Sequence, residues 1–394
     1  MRRPDADVLI AGGGLAAQRC CETLRRLGYD RRIVMLCEEP LAPYDRPPLS
    51  KAVLTDRGEP AKLAFRPDAW YAEHDVGLLL GVAAQALDLV ERTVTLQASH
   101  GAHRGGSLRY RRLVIATGSR PRRLPGVALG GTVHELRNHA DALALRAVLR
   151  EGGERLAVLG SGLVGMEVAA SARALGLDVT LIEATATPLA RALPPTLGLW
   201  IAGLHREHGI DVRLATTVER VALRGDTARL ELSDGTTIGA DTVLVAAGTT
   251  PATGWLPASS FGAGPIPTDP GGRTIFPHVY AAGDAACFPD PYLGKRVPTQ
   301  HWEAAARQGA TVARTIIGLE PTPPGPSMFW SDQHGHRIQL VGNAPPDCKI
   351  DYHGDPAAGK PFAAWITRGG RPAGALLVDR PDALPGARRW IANA

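Results

Sequence analysis

The stretch that decides the fold is VLIAGGGLAA, residues 8–17. Its apolar run leads directly into three glycines, and apolar positions then recur at the spacing of a helix that Gly28 ends. A second apolar run follows at 33–37 and stops at two acidic residues. Together these features predict a complete β-α-β unit near the start of the chain.

The same pattern occurs a second time in LAVLGSGLVG, residues 156–165. A helical spacing follows, Gly176 ends the helix, and the apolar run 179–182 stops at Glu183. Because strands that alternate with helices build parallel sheets, the two units predict an α/β fold. The expected architecture has two Rossmann-like dinucleotide-binding domains and a small C-terminal α+β domain.

The first glycine motif has the form Gly12-x-Gly14-x-x-Ala17. Gly12 permits a tight turn, Gly14 lets the backbone approach a pyrophosphate, and the small Ala17 lets helix and strand pack closely. The following helix N-terminus supplies free N–H groups for the phosphates. Glu38, with Glu39 second, is the candidate for the ribose hydroxyls; a glycine-rich turn without a ligand is the alternative. The predicted contacts of the motif itself are Gly12, Gly14, Leu15, Ala16 and Ala17.

The second motif, Gly160-x-Gly162-x-x-Gly165, is followed by an acid at the end of its second strand. A carboxylate there accepts a hydrogen bond from a ribose 2′-OH and repels a 2′-phosphate, so NADH is expected to be preferred over NADPH. A nearby arginine softens this preference, and a bare turn is again the alternative. The predicted contacts are Gly160, Gly162, Leu163, Val164, Gly165, Glu183 and Arg191.

Three further apolar strands end in small residues, at 116–118, 247–248 and 282–284. Such turns let the backbone crowd a flat cofactor. Two dinucleotide units suggest two dinucleotides, one held as a prosthetic group and one arriving as a substrate. Asp284, at an expected strand-to-helix junction, either accepts a hydrogen bond from a ribityl hydroxyl or caps the next helix. The predicted contacts here are Ala116, Thr117, Gly118, Ala247, Gly248, Gly283 and Asp284.

The segment PYDRPPLSK, residues 43–51, resembles the ferredoxin reductase components of oxygenase systems, the putidaredoxin reductase and rubredoxin reductase type. The resemblance extends to 116–118, 282–284, 301–303 and 329–333, and so covers essentially the whole chain. It implies a glutathione-reductase-like arrangement that binds FAD and uses NADH. It also implies electron transfer, one electron at a time, to an acidic 2Fe–2S ferredoxin or a rubredoxin that feeds an oxygenase or a cytochrome P450.

The resemblance also implies roles for single residues. Arg46 and Lys51 would lie along the flavin, with Lys51 near its reactive edge. Glu167 would face the nicotinamide and pair with Lys51; a surface acid in the first helical turn is the alternative. Trp330 would lie between the flavin and the docked partner, or else be a core aromatic under a hairpin. The remaining implied cofactor contacts are Ala84 at the adenine end, Trp302 at the pyrimidine edge, and the neighbouring His301 and Arg120.

Composition breaks suggest three domains. We expect a discontinuous FAD-binding domain over 1–119 and 246–320, an NAD-binding domain over 120–245, and a C-terminal α+β domain over 321–394. The last is expected to open with a hairpin, whose sequence His334-Gly335-His336 favours a polar turn over a metal site.

Charge and cysteine content argue against several classes of protein function. The net charge of +5 is mild, and nearly all basic residues are Arg, so no nucleic-acid role is expected. Five scattered cysteines, with no C-x-x-C, predict neither disulfides nor zinc and favour a reducing cytoplasm. No signal peptide and no apolar run near ~18 residues is seen, so no membrane association is expected. A monomer and a homodimer both stay open. Candidate docking arginines for an acidic ferredoxin are Arg120, Arg122, Arg123, Arg307, Arg337, Arg368 and Arg371; for the first three a solvated linker is the alternative.

The absence of cysteine from residues 41–51 separates this chain from flavoproteins that pass electrons to a thiol beside the flavin. Cys20, Cys21 and Cys37 are expected to be buried or packed. The electrons must then leave the flavin for an outside acceptor. Two alternatives stay open: an NADH oxidase or quinone or dye reductase, and a redox-responsive binding protein like the apoptosis-inducing factor group.

Overall fold

The structure is a computed structural model that describes residues 4–56, 63–98, 105–151, 153–344 and 347–394. The chain forms two compact units. The first contains the described parts of Met1–Asp45, Leu63–Arg120 and Thr250–Ser327. The second contains those of Arg46–Lys62, Pro121–Thr249 and Met328–Ala394.

Within the described residues the helices are α1 Leu15–Arg26, α2 Ala52–Thr55, α3 Asp68–Glu73, α4 His139–Glu151, α5 Leu163–Ala174, α6 Pro195–Glu207, α7 Ala258–Phe261, α8 Trp302–Ile316 and α9 Leu384–Ala392. Short 3₁₀ turns occupy Pro47–Ser50, Gly283–Ala285, Pro356–Ala358 and Pro381–Ala383.

The strands are β1 Ala6–Ala11, β2 Ile33–Cys37, β3 Val76–Leu80, β4 Val82–Asp88, β5 Thr93–Ala98, β6 Gly106–Ile115, β7 Ser119–Pro121, β8 Val133–Glu135, β9 Arg155–Leu159, β10 Asp178–Ile182, β11 Asp211–Arg213, β12 Val218–Arg224, β13 Thr227–Leu232, β14 Thr237–Ala240, β15 Thr242–Val245, β16 Thr249–Pro251, β17 Ile266–Pro267, β18 Val279–Ala281, β19 Ala286–Asp290, β20 Lys295–Val297, β21 Met328–Gln333, β22 His336–Gly342, β23 Lys349–His353, β24 Phe362–Arg368 and β25 Arg371–Val378.

The first unit is built on a sheet in the order β3-β2-β1-β6-β5-β4, with β18 also paired to β6. Strands β1, β2, β3, β6 and β18 run parallel, whereas β4 and β5 add an antiparallel extension. Side chains of β1 alternate between two cores: Val8 and Ile10 face α1 and α8, and Leu9 faces the other core. Burial on both faces explains why this strand is a continuous apolar run.

The second unit contains a parallel sheet in the order β11-β10-β9-β15-β8. Strand β9 again alternates, with Leu156 and Val158 in one core and Ala157 in another. A separate antiparallel sheet β12-β13-β14 adjoins it in the sequence.

The C-terminal residues form a five-stranded antiparallel sheet, β21-β22-β25-β24-β23, against which α9 packs through Ala387 and Ile391. The α/β class, the two parallel-sheet units and the C-terminal α+β segment predicted from the sequence are thereby confirmed. The division into three domains stays a prediction, since α2 and the 3₁₀ turn before it group with the second unit.

One local expectation was wrong. No helix follows Asp284; a three-residue 3₁₀ turn is followed by strand β19. The backbone of residues 286–290 is instead satisfied by pairing with β17 and β20, and the next helix, α8, begins only at Trp302.

Candidate cofactor sites and a buried ion pair

The first glycine turn is shaped by close backbone contact. Gly12 has a φ of +134°, and a Cβ placed there would lie 2.1 Å from the carbonyl oxygen of Ala116. Gly14 is different, because no atom lies within 4 Å of its added Cβ. Helix α1 begins at Leu15 with no side-chain cap and no acid in its first turn. Its N–H groups therefore border open space that an anionic phosphate fits.

The acids after β2 have different partners. Glu38 is exposed, and both its carboxylate oxygens accept hydrogen bonds from Arg120 at 2.9 and 3.0 Å. Glu39 accepts a 2.6 Å hydrogen bond from the Tyr44 hydroxyl. Glu38 is thus the more exposed of the two acids, and its contact with a ribose stays a prediction.

The turns that follow β6 and β18 lie close together at Asp284. Its carboxylate accepts a 2.7 Å hydrogen bond from Ser119 Oγ and caps no helix. The backbone N–H of Gly283 donates to Gln308, and Gly283 and Gly118 both have positive φ, at +73°. Thr117 donates through its hydroxyl to the carbonyl of residue 252 at 2.8 Å. A Cβ added at Gly283 would lie 3.0 Å from the Cβ of Ala16.

The start of α8 is fixed by a half-buried indole contact. Trp302 Nε1 donates a 2.7 Å hydrogen bond to Asp45 Oδ1. Trp302 is the first residue of α8, so its backbone lies at the helix N-terminus. His301 occupies the N-cap position with extended backbone, and burial lowers its pKa. Ala84 lies on β4 beside an irregularity in its pairing with β5.

The second glycine turn is also shaped by close backbone contact. Gly160 has a φ of +111°, and its added Cβ would lie 2.5 Å from the carbonyl oxygen of Ala246. A Cβ on Gly165 would lie 2.1 Å from the Gly160 carbonyl oxygen, whereas Gly162 faces open space. Leu163 is half-buried and Val164 is 43% exposed. Ala247 packs at the edge of the sheet core, and Gly248 turns the chain with a φ of +89°.

Glu183 is held by local donors. Ser161 donates to it through its N–H at 2.8 Å and its hydroxyl at 2.7 Å, and Thr185 donates through both groups at 2.8 Å. Burial raises the pKa of this carboxyl, but the hydrogen bonds outweigh burial, so the pKa lies below its usual range. Arg191 lies exposed in the turns after β10. Glu183 is therefore a fixed negative charge beside the second glycine turn.

Among the described residues of the second unit, Glu167 is the most buried acid, with 5% of its surface exposed. Its Oε2 lies 2.8 Å from Lys51 Nζ and 2.5 Å from Ser50 Oγ, while Oε1 accepts from Ser331 Oγ at 2.6 Å. Ser171, one turn further along α5, donates to the Ser50 carbonyl at 2.8 Å. The Lys51–Glu167 pairing that the resemblance implies is present, and the alternative of a surface acid was wrong.

Trp330 and Phe329 point to opposite faces of β21. Phe329 is buried in the core, whereas Trp330 is half-buried and has the Arg337 guanidinium 5.7 Å from its ring centroid. The core aromatic of the hairpin is therefore Phe329. Arg46 donates to the carbonyl of Arg137 at 2.6 Å.

The thiols do not form a redox pair. Cys20, Cys21 and Cys37 are free and buried, and burial raises the pKa of each, to about 12 for Cys21 and Cys37. In the described part of the chain no group of three or more His, Cys, Asp or Glu side chains is arranged to hold a metal ion. Nor does any helix described combine the length and apolar character needed to cross a membrane.

The sequence did not single out several of these partners. Ser50 and Ser331 each lie next to a predicted residue, and that adjacency was the available signal for them. Ser161, Ser119 and Asp45 are short polar residues whose partners lie 22, 165 and 257 positions away, and nothing in the sequence indicates those partners.

The two open glycine turns, each bordered by an uncapped helix N-terminus and an acid, fit two dinucleotides. Fold and site together define a flavoprotein-type oxidoreductase with two dinucleotide units.

Comparison with known proteins gives the family. Residues 6–309 match the pyridine nucleotide-disulphide oxidoreductase family, and residues 328–394 match the reductase C-terminal domain. The chain belongs to this family and is an oxidoreductase whose cofactors are FAD and NAD(H). It is 37% identical over 388 residues to the ferredoxin–NAD(+) reductase component of the anthranilate 1,2-dioxygenase system of Burkholderia cepacia, covering 98% of this chain and 93% of that protein.

Other relatives agree. The chain is 35% identical to the biphenyl dioxygenase system ferredoxin–NAD(+) reductase component of Paraburkholderia xenovorans, covering 90% of this chain and 85% of that one. Putidaredoxin reductase, in its covalent complex with putidaredoxin, matches with a TM-score of 0.92 at 29% identity, covering 99% of this chain and 94% of that one. A water-forming NADH oxidase from Lactobacillus brevis matches with a TM-score of 0.87 at 20% identity, covering 99% of this chain and 91% of that one, which shows the shared fold alone.

Proposed function

We propose that this chain is an NADH-dependent FAD reductase that passes electrons singly to a 2Fe–2S ferredoxin or a rubredoxin serving an oxygenase or a cytochrome P450. The relatives that carry such names support this, because they match the chain along nearly its whole length. The observation that carries the proposal is the Lys51–Glu167 pair, a buried acid and a cation joined at 2.8 Å directly after the second glycine motif.

The chain's own residues then bind and orient. Bound FAD would supply the chemistry that links hydride transfer from NADH to one-electron transfer to a carrier. The first glycine turn and Glu38 would hold the FAD phosphates and ribose, and the second turn and Glu183 would hold NADH. Asp284 would hold a ribityl hydroxyl. Lys51 would place a fixed positive charge where negative charge develops, since preorganised charge stabilises such a site without reorganisation.

The acceptor must lie outside the chain. The five cysteines are Cys20, Cys21, Cys37, Cys287 and Cys348, and none occurs between residues 38 and 286. The first three are buried with raised pKa values, which keeps them as thiols rather than reactive thiolates. This argues against a thiol relay and in favour of an acceptor outside the chain.

We propose that the partner is acidic and docks near Trp330. Arg337, stacked on that ring, supplies a positive charge there. Complementary charge mainly raises the association rate, so salt should slow the reaction. The proposal includes a cytoplasmic location and a monomer or homodimer.

The test is an anaerobic stopped-flow experiment on the FAD-loaded protein. NADH should bleach the flavin, and a 2Fe–2S ferredoxin should restore its colour at a rate that falls as salt rises. Ferricyanide, a small acceptor, serves as the control whose rate does not depend on docking. Reoxidation by oxygen alone, with ferredoxin inert, would make the protein an oxidase. A flavin that stays oxidised with NADH would refute the assignment of the second glycine motif.

A further inference from the structure

A line of hydrogen bonds leads away from Glu167 through the second unit. Ser331 Oγ accepts from Gln333 Nε2 at 2.8 Å, and Gln333 Oε1 lies 2.9 Å from His205 Nε2. His205 Nδ1 in turn lies 3.1 Å from His334 Nε2. We call Ser331, Gln333, His205 and His334 the donor chain. It joins β21 and its following turn to α6, and it ends on the Glu167 carboxylate.

Chemistry fixes the direction of every bond in the donor chain. An ionised carboxylate only accepts, so Ser331 must give it its single proton. Ser331 can then only accept from Gln333, which orients the amide with its oxygen towards His205. The neutral His205 ring must donate from Nε2 and accept at Nδ1 from His334. Each donor therefore points towards Glu167, and such aligned bonds polarise one another.

Because the donor chain is buried, its hydrogen bonds must keep these directions. Ser331 and Gln333 are each 2% exposed and His205 is fully buried, so water cannot replace a lost partner. Burial lowers the pKa of His205 to about 4, which keeps the ring neutral near pH 7. The alternation of β21 places Ser331 and Gln333 on its buried face, opposite Trp330.

We propose that Ser331, Gln333 and His205 are positioning residues that hold the Glu167 carboxylate in one orientation, so that its other oxygen stays paired with Lys51. This rests on the proposed reduction of FAD by NADH and deepens it, since it assigns the residues that align the pair for that step. The donor chain is not a proton wire, because an amide N–H does not readily pass a proton on. Its role is to fix a geometry.

The experiment compares variants in anaerobic flavin reduction by NADH. Ser331→Ala should slow reduction at saturating NADH by about tenfold, the typical cost of a lost hydrogen bond to a charged group. Gln333→Met should slow it by about fivefold, because its lost bond is to a neutral hydroxyl. The dissociation constant for NAD⁺, measured by calorimetry on the FAD-loaded protein, should change less than twofold. Ser331→Thr keeps the hydroxyl and should restore the rate. Crystals of Ser331→Ala should show a second Glu167 rotamer.

Two controls make the result decisive. Gln339→Met removes a buried amide from the same hairpin. The Oε1 of Gln339 accepts no hydrogen bond from the described residues, so this variant should leave the rate unchanged. In a Glu167→Gln background Ser331→Ala should cost nothing more, because coupled residues are not additive. The proposal is overturned if Ser331→Ala slows flavin reduction as much in that background as in the unmodified protein. It is also overturned if Gln339→Met slows flavin reduction as much as Ser331→Ala does. Because the assay ends at the flavin, failure of ferredoxin as acceptor would count only against the proposed function.

Discussion

Helices α1 and α5 occupy equivalent places, each following a glycine turn, but they are held in different ways. Helix α1 packs against α8 through small apolar residues, and a Cβ on Gly309 would lie 2.2 Å from the carbonyl oxygen of Ala16. Helix α5 buries an acid, Glu167, whose charge is met by Lys51, Ser50 and Ser331. Both helices bury apolar residues, but the contact that distinguishes α1 is a close backbone approach to α8, and the contact that distinguishes α5 is a buried polar cluster around Glu167.

The difference is instructive because the two β-α-β units look alike in sequence. Close packing resists any change in volume, which suits a permanently bound group. A polar cluster on α5 depends instead on every donor being present, which suits a site where charge must be aligned. The acids differ likewise: Glu38 is held by the distant Arg120, whereas Glu183 is held by Ser161 and Thr185 nearby.

The largest effect should come from the α1–α8 contact. Gly309→Ala forces backbone apart, and we expect a loss of about 3 kcal/mol in the free energy of unfolding. The loss should appear in urea unfolding and as weakened retention of FAD absorbance. Gly203→Ala on α6, where an added Cβ meets no atom within 4 Å, is the matched control and should be neutral or stabilising. Equal behaviour of the two variants would contradict the described packing.

The α5 region should respond in rate rather than in FAD retention. Lys51→Met removes the cation beside Glu167, and we expect flavin reduction by NADH to slow by about a hundredfold, as for loss of one preorganised charge. Lys349→Met removes an exposed charge from the same unit and should leave the rate unchanged. If Lys51→Met instead lowered FAD affinity a hundredfold and left the rate unchanged, the expectation that the α5 region acts on the rate would be wrong.

The buried histidine predicts a pH dependence of the second unit. Below the ordinary His pKa of about 6.5 the unfolded chain binds a proton that folded His205, with a pKa of about 4, does not. The free energy of unfolding should therefore fall as pH drops from 6.5 towards 4, by on the order of 2 kcal/mol from this residue. Glutamine cannot be charged, so in the His205→Gln variant the midpoint of urea unfolding should depend less on pH. An unchanged slope would show that another group titrates.

The smallest effect should separate the two acids. Glu183→Ala removes the charge that repels a 2′-phosphate, and the preference for NADH over NADPH in flavin reduction should fall by about tenfold. Glu38→Ala lies beside the other motif and should leave this ratio unchanged while weakening FAD binding slightly. If Glu38→Ala changed the ratio, FAD would have to be assigned to the second glycine motif and NADH to the first.

Several features followed from local sequence. The strand, helix and acid of each unit were predicted because burial on both faces, helical spacing and glycine turns are local properties. The helix expected after Asp284 failed because pairing of residues 286–290 with two other strands, which no local pattern records, satisfied that backbone. The Lys51–Glu167 pair came from the resemblance, since nothing local to either residue points to the other.

The sequence by itself determined two glycine turns with their acids and a chain without a redox thiol pair. Tertiary structure alone decided that Glu167 is buried and which groups satisfy it. Ser50 and Ser331 lie 117 and 164 positions away from it in the chain. The physical reason is that a buried carboxylate needs donors on all sides, and which donors surround it depends on how distant segments pack rather than on their order.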